Sequence, residues 1–305
     1  AHSRPLALWA VIGIGALAIG LGVISLVAAN WEDVPGMVRL AVHFAVLLGL
    51  GGFIAARGEA LERAQPWALE AALFVLGMLG MAFFGHIGQV YQTSSPLWQP
   101  LVAWLSLFAP LLLLRGQSWL TAALLFGTLV YAVWDYAGTT HGGLLDGGKH
   151  DPLLIAQLAL VTALPLLLVP MAAWMRGRSQ RDAFWKRMEQ LALTYAVGGA
   201  SLVAIVAGFE QFGDGLLNLT AQSERGFLAL LAGGLVVWAR PGASGRGAGL
   251  VLAGAGVTCL LAYALSGSQL GAGVLFMALW IGIAAAALHA GWRGVFQLAV
   301  AAVAV

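Results

Sequence analysis

The sequence predicts an all-α protein, a polytopic bundle of about eleven transmembrane helices with a cytoplasmic N-terminus. Three observations lead to this fold class: the scarcity of charged residues, the repeated long apolar segments, and the uneven distribution of arginine between alternate loops. Only 9% of the 305 residues are charged and 61% are hydrophobic, whereas soluble domains carry about 25% charged residues. A soluble protein of this size could not solvate its surface with so few charges, so the composition indicates lipid as the solvent.

Each predicted helix corresponds to an apolar segment, and about 20 helical residues are needed to cross the hydrocarbon layer. The segments are residues 6–29, 37–56, 68–87, 98–114, 117–136, 153–174, 190–208, 226–239, 247–266, 270–288 and 292–305. Segment 226–239 is short, and the chain end interrupts the last segment. The sequence leaves open whether cytoplasmic residues precede residue 1 and whether membrane residues follow residue 305 in the natural protein.

A basic loop divides the chain into two membrane regions. We expect a six-helix region over residues 1–174, which carries the motifs described below, a cytoplasmic loop over 175–189, and a five-helix region over 190–305. The loop is rich in arginine and lysine, which is typical of a topology determinant and also suits contact with anionic lipid.

The arginine and lysine residues favour one side of the membrane when the chain is allowed to alternate from a cytoplasmic N-terminus. The inside connections hold Arg4, Arg57, Arg63, Arg115, Arg176, Arg178, Arg181, Lys186, Arg187, Arg240, Arg246 and Arg293, and the outside connections hold Arg39, Lys149 and Arg225. Cytoplasmic loops carry such an excess of positive charge. The bias supports both the number of spans and the cytoplasmic position of the N-terminus.

Neutral hydrogen-bonding residues replace apolar ones in "FFGHIGQVYQTSSPLWQP", residues 83–100. If the helix continues through this stretch, His86, Gln89 and Thr93 share one face. Polar residues of other spans are predicted at the same outer level. Ionisable groups within a membrane are costly and usually face a cavity or a partner, so we predict an outward-open, ligand-binding pocket. Its residues are Glu32, Asp33, His43, His86, Gln89, Tyr91 and Asp135.

Other interpretations of these polar residues stay open. Each group could cap a helix or meet headgroups and water at the membrane surface. Two histidines and a carboxylate could bind zinc, but the spacing of His43, His86 and Asp135 does not show that they converge, and we expect no metal site. The sequence has no HExxH, GxSxG or CxxC motif and no P-loop lysine. We expect no cofactor, no nucleic-acid partner and no catalytic residue, although the sequence does not decide whether the protein is an enzyme.

Three motifs in order resemble a known family. "NWEDVP" follows the first span, "GHIGQVYQ" follows the third, and "PLWQPLVAWLSLFAPLLLLRGQSWL" contains a tryptophan-bearing span that ends at an arginine. Together they resemble the bacterial predicted membrane proteins grouped as domain of unknown function 2157, over about residues 10–135. The resemblance marks Asn30, Trp31, Gly88, Gln89, Tyr91 and Trp104 as family-pattern positions. It implies a bacterial inner-membrane location and supplies no activity. Members usually begin with a short soluble segment, which this chain lacks.

We therefore expect a membrane protein that binds or transports a small polar solute or a lipid through a pocket facing the periplasm. Two alternatives are a non-catalytic scaffold or accessory subunit of a membrane complex, and a membrane-embedded enzyme that acts on envelope lipids. The expected partners are membrane lipids, with a second membrane protein or another copy of the chain as a further partner.

Overall fold

The computed structural model describes residues 34–139, 152–209 and 219–304, and these residues form helices and short connections without any strand. The helices are α1 Gly36–Ala64, α2 Pro66–Tyr91, α3 Trp98–Arg115, α4 Trp119–Thr139, α5 Pro152–Ala163, α6 Leu168–Arg176, α7 Asp182–Val206, α8 Leu219–Ala239, α9 Ala243–Ala264, α10 Gln269–Ala290 and α11 Arg293–Ala304. A 3₁₀ turn, Leu164–Leu167, joins α5 to α6. The predicted all-α class is confirmed.

The helices follow the predicted apolar segments from the second to the last, and the first segment, 6–29, lies outside the described residues. Within the described part of the chain, eight helical stretches are long and apolar enough to cross a membrane, with α5, the turn and α6 forming one of them. The predicted number of about eleven is therefore approximate. Helix α7 begins inside the predicted loop 175–189, because residues 182–189 form its first two turns.

Contacts between helix ends show that the chain alternates in direction. Arg115, the last residue of α3, pairs with Glu62 near the end of α1 at 3.4 Å. At the opposite end of the bundle, the backbone N–H of Trp98, which begins α3, donates to Asp135 near the end of α4 at 2.7 Å. We call the first end the arginine-rich end. It carries Arg57, Arg63, Arg115, Arg176, Arg178, Arg181, Lys186, Arg187, Arg240, Arg246 and Arg293. That this end faces the cytoplasm stays a prediction.

Helix α7 is the central element of the described bundle, because it contacts α4, α6, α9 and α10. Helix α8 packs along α9 and against α5 and α6, while α1 packs along α2 and α2 contacts both α3 and α4. Alanines line many of these contacts, among them Ala192, Ala196, Ala200 and Ala204 on α7. Small residues let helix backbones approach closely in a bilayer, where lipid tails compete with every apolar side chain.

Two glycines of α2 allow α3 and α4 to pack directly against its backbone. A Cβ atom on Gly80 would lie 2.3 Å from the ring of Phe108, and one on Gly77 would lie 2.7 Å from Leu124. Trp104 is fully buried beside them and donates its indole N–H to the carbonyl of Gly77 at 2.8 Å. Around Gly77 and Gly80, side chains of α3 and α4 therefore fill the space next to α2.

We expect Gly80→Ala to destabilise the protein and Gly85→Ala, on the same helix, not to do so. The added methyl group at residue 80 meets the Phe108 ring, and overpacking of this kind costs about 1–3 kcal/mol. At residue 85 a Cβ meets nothing within 4 Å, so only the gain in helix propensity remains. The single cysteine, Cys259, is buried, so a thiol-reactive dye reports thermal unfolding in detergent. Equal unfolding temperatures for the two variants would contradict this account of the packing.

Candidate functional site

Five of the seven predicted pocket residues lie in the described part of the chain, on α1, α2 and α4. Glu32 and Asp33 lie outside it. All five are at the end of the bundle opposite the arginine-rich end. The structure brings two of them, the histidines, together and distributes the other three over different contacts. Their grouping in a single ligand site stays a prediction.

His43 of α1 and His86 of α2 form a side-chain pair, with their Nδ1 atoms 3.4 Å apart. The Nε2 atom of His43 lies 3.0 Å from the carbonyl oxygen of Leu79. A carbonyl only accepts hydrogen bonds, so Nε2 of His43 carries a proton, and Nδ1 of a neutral His43 must accept from Nδ1 of His86. The pair therefore connects α1 to α2. In this arrangement a single proton, carried by Nδ1 of His86, lies between the two Nδ1 atoms.

Tyr91 and Gln89 diverge at the end of α2. The Tyr91 hydroxyl is directed toward α1 and donates to the sulfur of Met37 at 3.4 Å. Gln89 lies on the other side of α2, in the lining of a groove between α2, α3 and α4. The helix ends at Tyr91, and Gln92 adopts the left-handed conformation with φ of 50°. The continuous helical face through His86, Gln89 and Thr93 is therefore interrupted, although Gln89 and Thr93 still line the same groove.

Asp135 acts as a helix cap in the structure. Its Oδ2 atom accepts the backbone N–H of Trp98, the first residue of α3, and the ring of the adjacent Tyr136 lies edge-on against the Trp98 ring at 5.2 Å. A carboxylate near a helix N-terminus satisfies an otherwise unpaired donor and interacts favourably with the helix dipole. Among the described residues, no group of three or more His, Cys, Asp or Glu side chains could hold a metal ion.

The groove between α2, α3 and α4 has a volume of about 1020 Å³, and none of the described residues that line it is charged. Its polar residues are Gln89, Thr93, Ser95, Gln99, Thr128 and Tyr131, and Phe84, Leu97, Trp104 and Leu124 are among its apolar residues. Gln89, Thr93, Ser95 and Gln99 are exposed and belong to the neutral polar stretch of residues 83–100. The groove therefore combines a polar, uncharged end with an apolar wall.

Glycine spacing on α2 explains why the groove opens where it does. Gly77 and Gly80 are covered by α3 and α4, whereas Gly85 has no atom within 4 Å of its Cβ position. Gly127 on α4 also lines the groove with an open Cβ position. The helices thus pack closely toward the arginine-rich end and separate toward the other end.

The arginine-rich end holds a buried ion cluster that the sequence reasoning missed. The carboxylate of Glu189, whose side chain is 3% exposed, pairs with Arg176 and with Arg240, both at 2.8 Å. Arg176 also pairs with Asp182 at 3.0 Å. The cluster joins the end of α6, the first turns of α7 and the end of α8. The signal in the sequence was an acidic residue at the start of an apolar span within a basic segment.

Further polar contacts at this end involve backbone groups. The Arg181 guanidinium donates to the carbonyls of Gly116, at 3.0 Å, and Leu113. Burial lowers the pKa of Arg181, while the neighbouring Glu62 and Glu70 carboxylates act in the opposite direction. Arginine stays charged after such a shift because its unperturbed pKa is far above neutrality. The end of α3, the start of α4 and the segment before α7 are thus held together.

Arg225 was predicted in an outside loop, and the structure places it inside a helix. Helix α8 begins at Leu219 and not at residue 226, so Arg225 lies in its second turn and is 9% exposed. Its Nη2 atom lies 3.4 Å from the hydroxyl of Thr162 in α5. Tyr195 of α7 donates to the carbonyl of the same threonine at 2.5 Å. The contact with α5 lets the helix extend over a charged residue that hydropathy alone would assign to a loop.

The comparison with protein families agrees with the resemblance seen in the sequence. A family model described as predicted membrane protein (DUF2157) matches residues 1–121.

The predicted resemblance to DUF2157 is therefore confirmed for this N-terminal part of the chain. The described helices α1–α3 and the beginning of α4 lie within the matched residues. Every predicted site residue except Asp135 falls in the matched region, and so do most of the groove residues. No curated protein and no solved structure matches the sequence. The chain is a membrane protein with several helices that are long and apolar enough to span the membrane, and the description of the matched family model names no activity.

We expect Asp135→Ala to lower stability by about 1 kcal/mol, because the N–H of Trp98 loses its acceptor. Asp135→Asn keeps an oxygen acceptor and should retain most of that stability. Thermal unfolding of both variants in detergent, followed through Cys259, measures the difference. A loss of ligand binding without any change in unfolding temperature would instead assign Asp135 to a binding site.

Glu189→Gln should destabilise the protein by about 2 kcal/mol. Removal of one partner of a fully buried pair costs about 3–5 kcal/mol, and the value expected here is smaller because Arg176 and Arg240 are 19% and 21% exposed. The matched control is Glu59→Gln, since Glu59 and its nearer partner Arg63 are 71% and 81% exposed and its second partner, Arg115, lies 3.9 Å away. Exposed pairs contribute about 0.5 kcal/mol. Similar unfolding temperatures for the two variants would show that the cluster is not a structural tie.

Proposed function

We propose that this protein binds an amphiphilic molecule with an uncharged or zwitterionic polar head, such as a zwitterionic lipid, in the groove between α2, α3 and α4. One observation carries the proposal: the neutral polar residues of 83–100 line an open groove next to an apolar wall. A site of about 1020 Å³ with a few polar groups and a mainly apolar lining is typical of a small-molecule pocket.

The chemistry of the lining selects the class of ligand. Gln89 and Gln99 offer amide donors and acceptors, and Thr93 and Ser95 offer hydroxyl groups. The polar end can therefore bind a headgroup that donates hydrogen bonds or one that accepts them. The absence of a charged side chain from the described lining gives no compensation for a net charge on the ligand. The apolar wall continues below this end along Phe84, Trp104 and Leu124. A ligand with a polar head and an apolar tail satisfies both parts.

The histidine pair lies beside this site and supports it indirectly. His43 and His86 join α1 to α2 one helical turn before the groove residue Gln89. The pair thus positions the end of α2 from which Gln89 projects. We assign the two histidines to positioning and the exposed polar residues of 83–100 to ligand contact. The end of the bundle concerned is the one that we expect to face the periplasm.

Groove-filling substitutions test the proposal. Gly85 and Gly127 line the groove and have open Cβ positions, so the double variant Gly85→Leu/Gly127→Leu places two side chains in it without displacing neighbours. With phosphatidylethanolamine as the probe, native mass spectrometry should show bound lipid on the unmodified protein. The double variant should retain only the level of non-specific adducts.

The matched control is Gly52→Leu on α1, which also has an open Cβ position and does not line the groove. We expect it to bind phosphatidylethanolamine like the unmodified protein. Equal lipid retention by the double variant and the control would contradict the proposal. Copurification of a stoichiometric membrane protein, lost only in the double variant and without lipid adducts, would favour the scaffold alternative.

A further inference from the structure

A second cavity, of about 780 Å³, lies at the arginine-rich end between α7, α9, α10 and α11. One stripe of α7 forms its longest wall, running from Lys186 through Leu193 and Val197 to Ser201 at helical spacing. At 1.5 Å per residue, this wall extends about 22 Å along the helix. The cavity therefore reaches from the membrane surface well into the hydrocarbon layer, and it is far from the groove of the proposed function.

The charges are concentrated at the shallow end of the cavity. Arg176, Lys186, Arg240 and Arg293 line it, and Glu189 is the one acidic residue in the lining. Glu189 is already engaged by Arg176 and Arg240. Lys186 and Arg293 are exposed and form no ion pair within the described ranges. Positive charge is thus in excess at this end, which favours an anionic occupant.

The deep part of the cavity is apolar. Leu193, Val251 and Ile283, from three different helices, form its walls, together with Trp280. Two buried polar atoms, Ser201 Oγ and Trp280 Nε1, have no hydrogen-bond partner among the described residues. Buried polar groups are normally hydrogen-bonded. An occupant that carries an oxygen acceptor below its head would satisfy the indole N–H.

We propose that this cavity binds an anionic phospholipid of the leaflet at the arginine-rich end. The phosphate would contact Lys186, Arg293 and Arg240, and an acyl chain would lie along the α7 stripe toward Trp280. Basic pockets between membrane helices bind anionic headgroups in this way. A small soluble anion would leave the deep apolar walls empty, and an apolar helix would leave the cations without a counter-charge. The gradient from charged to apolar with depth matches a phospholipid in both respects.

Tryptophan quenching by brominated lipid tests the proposal on the full chain in detergent. Phosphatidylglycerol with brominated acyl chains should quench Trp280 at lower concentration than brominated phosphatidylcholine. Subtracting the fluorescence of the Trp280→Phe variant from that of the unmodified protein isolates the fluorescence of Trp280. In the variant Lys186→Gln/Arg293→Gln, compared with the same variant carrying Trp280→Phe, half-maximal quenching of Trp280 should need about thirtyfold more phosphatidylglycerol, because two headgroup contacts are lost. This variant leaves the Glu189 cluster intact, so folding is preserved.

The control removes two charges from the same end of the bundle but away from the cavity. Arg57→Gln/Arg63→Gln changes exposed residues of α1 and should shift half-maximal quenching less than about twofold. The proposal would be overturned by equal half-maximal concentrations for the two lipids. It would also be overturned if both charge variants weakened binding to the same extent, since the attraction would then be a general surface effect.

Discussion

The structure depends on one constraint: in lipid, every charged group and every unpaired backbone N–H must find a partner within the protein. Three acidic residues show how the chain meets it. Glu189 holds the guanidinium groups of Arg176 and Arg240 together. Glu70, buried on α2, accepts from the Thr121 hydroxyl at 2.8 Å and from the backbone N–H of Gln117, where α4 begins. Asp135 accepts the first N–H of α3. Each acid thus fixes the end of a helix other than its own.

This arrangement separates the groups that hold the bundle together from those free to contact a ligand. At the end opposite the arginines, Asp135 and the histidine pair are used in contacts between helices, while Gln89 and Thr93 remain exposed in the groove. At the arginine-rich end, the Glu189 cluster joins three helices, while Lys186 and Arg293 lie at the cavity mouth. At each end, the contacts between helices therefore lie beside a groove or a cavity, and they hold the helices that form its walls.

Local signals in the sequence were enough to predict most of the fold, because a membrane helix must be apolar along its own length. One exception is the start of α8, where Arg225 is accommodated by a contact with Thr162, 63 residues earlier in the chain. Hydropathy averaged over neighbouring residues carries no information about a contact between residues so far apart in the sequence. The site was harder to predict for the same reason. The level of His43 and His86 in the membrane follows from helix length, but the rotation of α2, which turns His86 to α1 and Gln89 to the groove, depends on how Phe108 and Leu124 meet Gly80 and Gly77.

The two open sites differ in charge, and this difference follows from the distribution of arginine along the chain. The groove at one end has a neutral lining, and the cavity at the other end has four cationic side chains and one acidic one. The residues that we predict to orient the protein by the positive-inside rule are therefore the same ones that, in our proposal, favour an anionic headgroup at their end of the bundle. A protein that only needed orientation could carry its arginines on exposed loops. Here Arg240 and Lys186 line a cavity that continues along α7 as far as Ser201, so charges that we predict to set the topology also line the cavity for which we propose a lipid.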